Sequence, residues 1–105
     1  MIKETEKKTV WSKAREVLNM DPTHYRIDEC GALIKYEDYN NRNSDFGWEE
    51  DHIRPSSKGG EDDITNLRPM QWENNVVRGN GPLQCKIQFN GKHNTIIPNW
   101  DILYE

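Results

Sequence analysis

The sequence is poor in apolar residues and contains no long hydrophobic run. Apolar residues make up 33% of its 105 residues, and the mean hydropathy is -1.05. Because a transmembrane helix needs about 20 consecutive apolar residues, the sequence predicts no membrane span and no membrane partner. We expect residues 1–105 to form one small domain with a thin core.

Cysteine is also scarce. The chain has only Cys30 and Cys85, which lie far apart and form no CxxC pair. A disulfide would require the fold to bring them together, which the sequence does not indicate. The N-terminal residues lack the apolar core of a secretory signal. The sequence therefore predicts a cytoplasmic protein with two reduced thiols.

Positive charge is in deficit. The 18 Asp and Glu residues outnumber the 14 Lys and Arg residues, which gives a net charge of -4. Domains that bind nucleic acid are usually basic, because most of their affinity comes from neutralising phosphates. The charge balance therefore argues against a strong nucleic-acid binder, and an acidic nuclease would bind weakly or with the help of a partner.

Local patterns predict a small α+β fold whose first half contains one helix and one hairpin. Apolar residues recur at helical spacing over residues 9–19, and Pro22 would end that helix because proline disfavours helical geometry in the residue before it. Residues 25–39 contain two strand-like runs separated by Gly31, which predicts a β-hairpin. The apolar positions that support the helix are Val10, Ala14, Val17 and Leu18.

The second half is predicted to contain two strands and a helix, followed by a C-terminal β-hairpin. The strands are expected over residues 48–53 and 67–70, and the helix over 71–78, where Gly79 would end it. An Asn-Gly pair at 90–91 between short apolar runs is a strong hairpin signal. The residues expected to pack this hairpin onto the rest are Ile96, Ile97, Trp100, Ile102 and Tyr104.

The central segment carries groups suited to hydrolysis of a phosphodiester. Asp51 offers a carboxylate and Asn75 an amide oxygen, and oxygen atoms are the ligands that hard divalent cations prefer. His52 follows Asp51 directly. Since histidine ordinarily has a pKa near 6.5, a neutral ring at this position can accept a proton from water. The sequence therefore offers a metal ligand, an adjacent base and a second ligand on a helix.

The order of these groups resembles the HNH nucleases. An Asp-His pair at 51–52 precedes a Gly-Gly loop at 59–60, then Asn66, then Asn75 shortly before a basic residue and a glycine. The resemblance covers about residues 47–80 and implies a central ββα-metal unit around one divalent ion, with Mg²⁺ expected and Mn²⁺ as the alternative. It implies a metal-dependent endonuclease that hydrolyses DNA, with RNA as the alternative substrate.

The resemblance also implies a role for each matched residue. His52 corresponds to the general base, and Asn66 to the residue that braces the loop and orients that base. Asp51 and Asn75 correspond to the two metal ligands. Asn74 is the alternative ligand if the alignment of the helix is shifted by one residue.

Three basic residues are predicted to contact nucleic acid. Arg78, one helical turn after Asn75, is similar to the family's basic residue near the phosphate, and its i, i+3 spacing puts both side chains on one face. Arg54 and Lys58 lie on the loop after His52. An alternative interpretation makes Arg78 a cation that interacts with the dipole at the end of its helix.

The chain departs from the family pattern in its bracing and in the residues just before the motif. Many members brace the ββα unit with CxxC zinc pairs, but Gln71 and Asn74 stand at the equivalent positions, so no structural zinc is expected. Glu49 and Glu50 precede the motif, where an apolar residue is more usual. Packing is expected to replace the zinc through Trp48, Ile53, Leu67, Met70 and Trp72.

Two alternative functions belong to other classes. The chain could be a non-catalytic module that binds nucleic acid or protein on an HNH scaffold, which its acidic balance favours. It could also be a nuclease subunit that is active only with a larger partner protein, since no run of residues is typical of an element that recognises bases.

Overall fold

The structure is a computed structural model that describes residues 3–102. It has the α+β class predicted from the sequence, with two helices and three separate antiparallel strand pairs. Within the described residues, neither helix has the length or the apolarity to cross a membrane. The elements are α1 (Glu4–Trp11), β1 (Tyr25–Ile27), β2 (Leu33–Lys35), β3 (Trp48–His52), β4 (Leu67–Gln71), α2 (Trp72–Arg78), β5 (Ile87–Phe89) and β6 (Asn94–Ile96).

Helix α1 begins earlier and ends much earlier than the predicted range of 9–19. Acidic residues in its first turn favour the early start, because negative charge is stabilised at a helix N-terminus. After Trp11 the chain leaves the helix, and the backbones of Arg15 and Ile27 exchange two hydrogen bonds of 3.0 and 2.9 Å. The predicted extent is therefore wrong, because strand-like pairing with the next segment replaces the helical turns. Leu18, predicted to lie on the apolar face, is exposed.

The first hairpin forms where it was predicted. Strands β1 and β2 pair antiparallel, with Tyr25 opposite Lys35 and Ile27 opposite Leu33. Gly31 in the connecting turn has a φ of +88°, a conformation that glycine adopts without the steric penalty of a side chain. The turn therefore places a glycine at the position whose backbone conformation favours it.

The core lies between α1, β2 and the β3–β4 pair. Trp48 is fully buried at its centre, and its ring centroid lies 5.3 Å from that of Trp11 and 4.8 Å from that of Tyr39. The packing predicted for the central unit holds for Trp48, but Ile53 is 46% exposed. The other buried residues of this cluster are Val10, Ala14, Ile34 and Leu67.

The C-terminal hairpin also forms as predicted, with β5 and β6 paired antiparallel. Its predicted apolar packing is wrong for Ile96 and Ile102, which are 57% and 58% exposed. A polar contact attaches the hairpin instead, because the amide of Asn94 both donates to and accepts from the backbone of Leu33 at 2.8 Å. Tyr104 lies outside the described residues.

The two cysteines form a disulfide, which contradicts the prediction of reduced thiols. Cys30 lies in the turn between β1 and β2, Cys85 lies just before β5, and their Cα atoms are 5.4 Å apart. The bond joins the first hairpin to the C-terminal segment across a sequence separation of 55 residues. The sequence could not predict this pairing, because nothing local indicates that the two segments are neighbours.

Reducing this disulfide should destabilise the protein. Because the bond closes a long loop, its loss should lower the free energy of unfolding by about 2–5 kcal/mol. Urea unfolding with and without a reductant, followed by tryptophan fluorescence, measures the difference. The Cys30→Ser/Cys85→Ser variant is the control and should be insensitive to the reductant. Equal stability of the oxidised and reduced wild-type protein would contradict the prediction.

Candidate functional site

The predicted Asp-His pair lies at the end of β3. This strand pairs with β4 so that Asp51 is opposite Arg68 and His52 is opposite Leu67. Successive side chains of a strand point to opposite faces, and accordingly the side chain of Asp51 is only 3% exposed while that of His52 is 29% exposed. The acid therefore lies in the interior and the histidine at the surface.

A polar cleft lies between the end of β3 and the C-terminal part of α2, with a volume of ≈ 100 Å³. It brings together four of the residues singled out in the sequence, namely Asp51, His52, Asn75 and Arg78. Asn66, Arg54 and Lys58 are not among the residues that line it. The lining residues are Glu50, Asp51, His52, Pro55, Ser56, Asn75, Arg78, Gly79 and Asn80.

Two guanidinium groups hold the Asp51 carboxylate. Arg68 donates through Nε to Oδ2 at 2.8 Å, and Arg78 donates through Nη1 to Oδ1 at 2.5 Å. Each oxygen of Asp51 therefore accepts one charge-assisted hydrogen bond, and the two cations offset the negative charge of the carboxylate.

Arg78, predicted to lie near the phosphate, is buried and lines the cleft. Its side chain is 5% exposed, and besides Asp51 it donates to the backbone oxygens of His52 at 2.5 Å and Ile53 at 2.8 Å. Its Nε atom has no hydrogen-bond partner among the described residues. Arg78 thus ties the end of α2 to the end of β3. This internal contact, more than the helix dipole, accounts for its position.

Helix α2 presents its two adjacent asparagines to different parts of the molecule. Asn75 lines the cleft and donates through Nδ2 to Glu49 Oε1 at 2.9 Å. Asn74 is fully buried, and its Oδ1 accepts from the backbone N–H groups of Lys86 and Ile87, both at 2.8 Å. The alternative that places the ligand at Asn74 is therefore wrong, and Asn75 is the asparagine at the cleft.

Asn66 braces the loop after His52, the geometry that its predicted role requires. Its Oδ1 accepts from Arg54 N at 2.8 Å, and its Nδ2 donates to the backbone oxygens of Arg54 at 3.1 Å and Glu61 at 2.9 Å. Gly60 lets the loop close, because a Cβ atom there would lie 1.7 Å from Arg54 O. One side chain thus joins both ends of the loop.

The His52 ring contacts an acid that the sequence did not single out. Its Nε2 atom lies 2.5 Å from Oδ1 of Asp62, whose side chain is 92% exposed. Asp62 belongs to an acidic run with Glu61 and Asp63, and no spacing rule distinguishes one of the three. Only the course of the loop selects Asp62 as the neighbour of the histidine.

Asp28 is a second acid that the sequence did not single out. It supports the site from below, at the start of α2. It is 1% exposed, and Oδ1 accepts from the N–H groups of Cys30 at 2.9 Å and Ala32 at 2.8 Å. Oδ2 accepts from Gln71 N at 2.9 Å and Asn74 Nδ2 at 3.1 Å. Burial raises the pKa of the Asp28 carboxyl, and these hydrogen bonds oppose the rise. Asp28 therefore links the first hairpin to the start of α2.

Gln71 is a structural residue at the start of α2. It is fully buried at the N-cap of α2, where its Oε1 accepts from the N–H groups of Glu73 at 2.9 Å and Asn74 at 3.1 Å. A side-chain acceptor at this position satisfies backbone donors that the first turn leaves free. Polar capping thus starts the helix that carries Asn75 and Arg78.

The cleft offers oxygen atoms to a metal ion, but few of them. An ionised carboxylate has about four acceptor positions, so Asp51 retains acceptor capacity beside its two arginine bonds. Asn75 Oδ1 accepts no hydrogen bond from residues 3–102, and Glu50 also lines the cleft. No group of three His, Cys, Asp or Glu side chains in that range could hold a metal. These donors fit a hard divalent ion that keeps several waters, and the two guanidiniums predict weak binding.

The loop carries the exposed basic residues of the site. Arg54 and Lys58 are both exposed, and Arg54 donates through Nε to Lys58 O at 2.8 Å. Their neighbours include the acidic run at 61–63. The positive charge near the cleft is therefore limited to a small patch beside a larger number of acids.

Comparison of the chain with protein-family models, with curated proteins and with solved structures found no match.

Removing the Asp28 carboxylate should destabilise the protein. In Asp28→Ala, four buried N–H donors lose their acceptor, so the free energy of unfolding should fall by about 3 kcal/mol or more. Asp28→Asn retains one acceptor oxygen, so its free energy of unfolding should lie between those of Asp28→Ala and the wild type. Thermal and urea unfolding measure this order. Glu29→Ala, in the same turn but exposed, is the control and should change stability by less than about 0.5 kcal/mol.

Removing the Asn66 side chain should loosen the loop while the fold remains. Asn66→Ala deletes three hydrogen bonds to the backbone of residues 54 and 61, so amide hydrogen exchange over residues 54–61 should accelerate. The exchange of β1 and β2 is the internal control and should not change. Asn66→Asp keeps the acceptor but loses both donors, and its exchange should be intermediate. Unchanged exchange in Asn66→Ala would show that the loop is held by other contacts.

Proposed function

We propose that the chain is a metal-dependent endonuclease of the HNH type that hydrolyses phosphodiester bonds in nucleic acid, with DNA as the expected substrate. The observation that carries the proposal is the polar cleft, which is lined by Asp51, His52 and Asn75. These are the residues that the resemblance assigned to the base and to the two metal ligands. Asn66 supports the proposal further, because it braces the loop as that role requires.

His52 is the proposed general base. His52 lines the cleft and its side chain is partly exposed, so a water molecule can reach the ring. The neutral imidazole accepts a proton from that water as the water oxygen forms a bond to phosphorus and the bond from phosphorus to the leaving 3′ oxygen breaks. A base positioned in this way contributes roughly 10²–10⁴ in rate. Asn66 fixes the backbone of residue 54, two positions after the histidine, and so limits the movement of the strand end that carries the ring.

Asp51 and Asn75 are the residues that would hold a divalent cation, Mg²⁺ or Mn²⁺. When bound, such an ion supplies positive charge that stabilises the transition state and the leaving oxygen. Arg68 and Arg78 each donate a hydrogen bond to the Asp51 carboxylate and fix its orientation. Their charges compete with the cation for the same carboxylate, so we expect metal binding to be weak. No structural zinc is proposed.

The small patch of Arg54 and Lys58 is the proposed contact for the phosphate backbone. Because nearby acids exceed these two bases, unaided binding to DNA should be weak and sensitive to salt. A basic partner protein that extends this patch is the second proposal, and the net charge of -4 favours it. A cytoplasmic location stays a prediction. The disulfide argues against it, because disulfides are rare in the reducing cytosol.

The proposed activity predicts nicking of supercoiled plasmid in Mg²⁺ or Mn²⁺ and its loss in EDTA. His52→Ala should reduce the rate about 100-fold or more, because the variant lacks the base. His93→Ala is the matched control, since His93 lies on the exposed turn between β5 and β6, and it should retain full activity. Gel quantification of the nicked and linear forms measures each rate.

The controls separate the possible failures. Nicking that survives in His52→Ala would remove His52 as the base, and nicking in EDTA would remove the metal. If the folded wild-type protein nicks nothing alone, the assay is repeated with a basic partner protein added. Continued inactivity, together with salt-insensitive DNA binding, would contradict both the nuclease and the partner-dependent proposal.

A further inference from the structure

The contact between His52 and Asp62 determines the proton position on the histidine ring. Nε2 of His52 is 2.5 Å from Oδ1 of Asp62. An ionised carboxylate can only accept a hydrogen bond, so Nε2 must carry the proton that is shared between them. A neutral His52 ring then has its free lone pair on Nδ1. The contact therefore specifies one of the two tautomers of the neutral ring.

The backbone on both sides of Asp62 is fixed, although the carboxylate itself is exposed. Before it, Glu61 O accepts from Asn66 Nδ2 at 2.9 Å. After it, Asp63 Oδ1 accepts from Thr65 N at 2.9 Å and from Thr65 Oγ1 at 2.7 Å, which forms a cap on the following turn. Asp62 thus sits between two anchored residues, and the loop presents its side chain to the end of β3.

We propose that Asp62 is a positioning residue for His52, which holds the ring through Nε2–H and leaves Nδ1 to accept the proton from water. The inference rests on the proposed function, in which His52 is the general base. Asp62 does not touch the substrate in this proposal. It acts only through the histidine, by fixing which nitrogen is basic and by restricting rotation of the ring. Among the three acids of the loop, this role belongs to Asp62 alone.

The first test measures the tautomer and does not depend on activity. The ¹⁵N chemical shifts of the His52 ring are recorded at about pH 8.5, where a histidine of ordinary pKa is neutral. The wild type should show a protonated Nε2 and an unprotonated Nδ1. Asp62→Ala should shift both signals toward averaged values, as the two tautomers interconvert. Asp62→Asn keeps an acceptor oxygen and should restore part of the preference.

Glu61→Gln is the matched control for the loss of one negative charge from the same loop. Among residues 3–102, Glu61 makes a hydrogen bond only through its backbone oxygen, so this variant should keep the wild-type ring signals. A wild-type ring that carries its proton on Nδ1, or a tautomer unchanged in Asp62→Ala, would overturn the proposal. Equal effects of Glu61→Gln and Asp62→Ala would also overturn it, because the cause would then be general loop charge.

The second test measures the nicking rate of the same variants. Because the contact is one exposed hydrogen bond, Asp62→Ala should lower kcat by about 3- to 10-fold with little change in KM. Asp62→Asn should recover part of the loss, and Glu61→Gln should match the wild type. If the wild type does not nick DNA while the tautomer result holds, the proposed function fails and the pairing of Asp62 with His52 stands. A correct tautomer with an unchanged kcat in Asp62→Ala would overturn the positioning role.

Discussion

The structure depends on one buried carboxylate, that of Asp28. Within residues 3–102, the three strand pairs share no strand, so no continuous sheet holds them together. Asp28 lies in the turn of the first hairpin and accepts hydrogen bonds from Gln71 and Asn74 at the start of α2. Asn74 in turn holds the backbone at Ile87, the first residue of the last hairpin. Two polar side chains and one disulfide thus do the work that a continuous sheet or a larger core does elsewhere.

The candidate site follows from this constraint, because the same helix carries both the structural and the functional residues. Helical geometry places neighbouring residues on different faces. Asn74 therefore points into the polar network while Asn75 points into the cleft. Once the network fixes the start of α2, the positions of Asn75 and Arg78 relative to β3 are determined as well. The disulfide is linked to the cleft through Asp28, which accepts from Cys30 N and from Asn74 on the helix that carries Asn75.

Turn chemistry and spacing were sufficient to predict the hairpins and the central strand–strand–helix order. Gly31, the Asn-Gly pair at 90–91 and Gly79 each stand at a position where local geometry favours that residue type. The first helix was predicted wrongly, because Arg15 pairs with Ile27, and a backbone contact with a later strand cannot be inferred from helical spacing. The disulfide and the Asp28 network were missed for the same reason, since both join segments that are distant in the sequence.

Within the site, the sequence indicated the residues but not their electrostatic pairing. The resemblance implied a role for Arg78 near the phosphate, and the structure pairs this residue with Asp51 in the interior. Burying a charge without a partner is costly. Arg78 can be buried because Asp51 and two backbone oxygens accept hydrogen bonds from its guanidinium group. This pairing offsets the negative charge of Asp51, the proposed metal ligand. It also leaves the positive charge of Arg78 less able to attract a phosphate. If the chain cuts nucleic acid, the affinity for metal and substrate must come largely from solution concentration or from a partner, and the chain itself contributes mainly the geometry of the base.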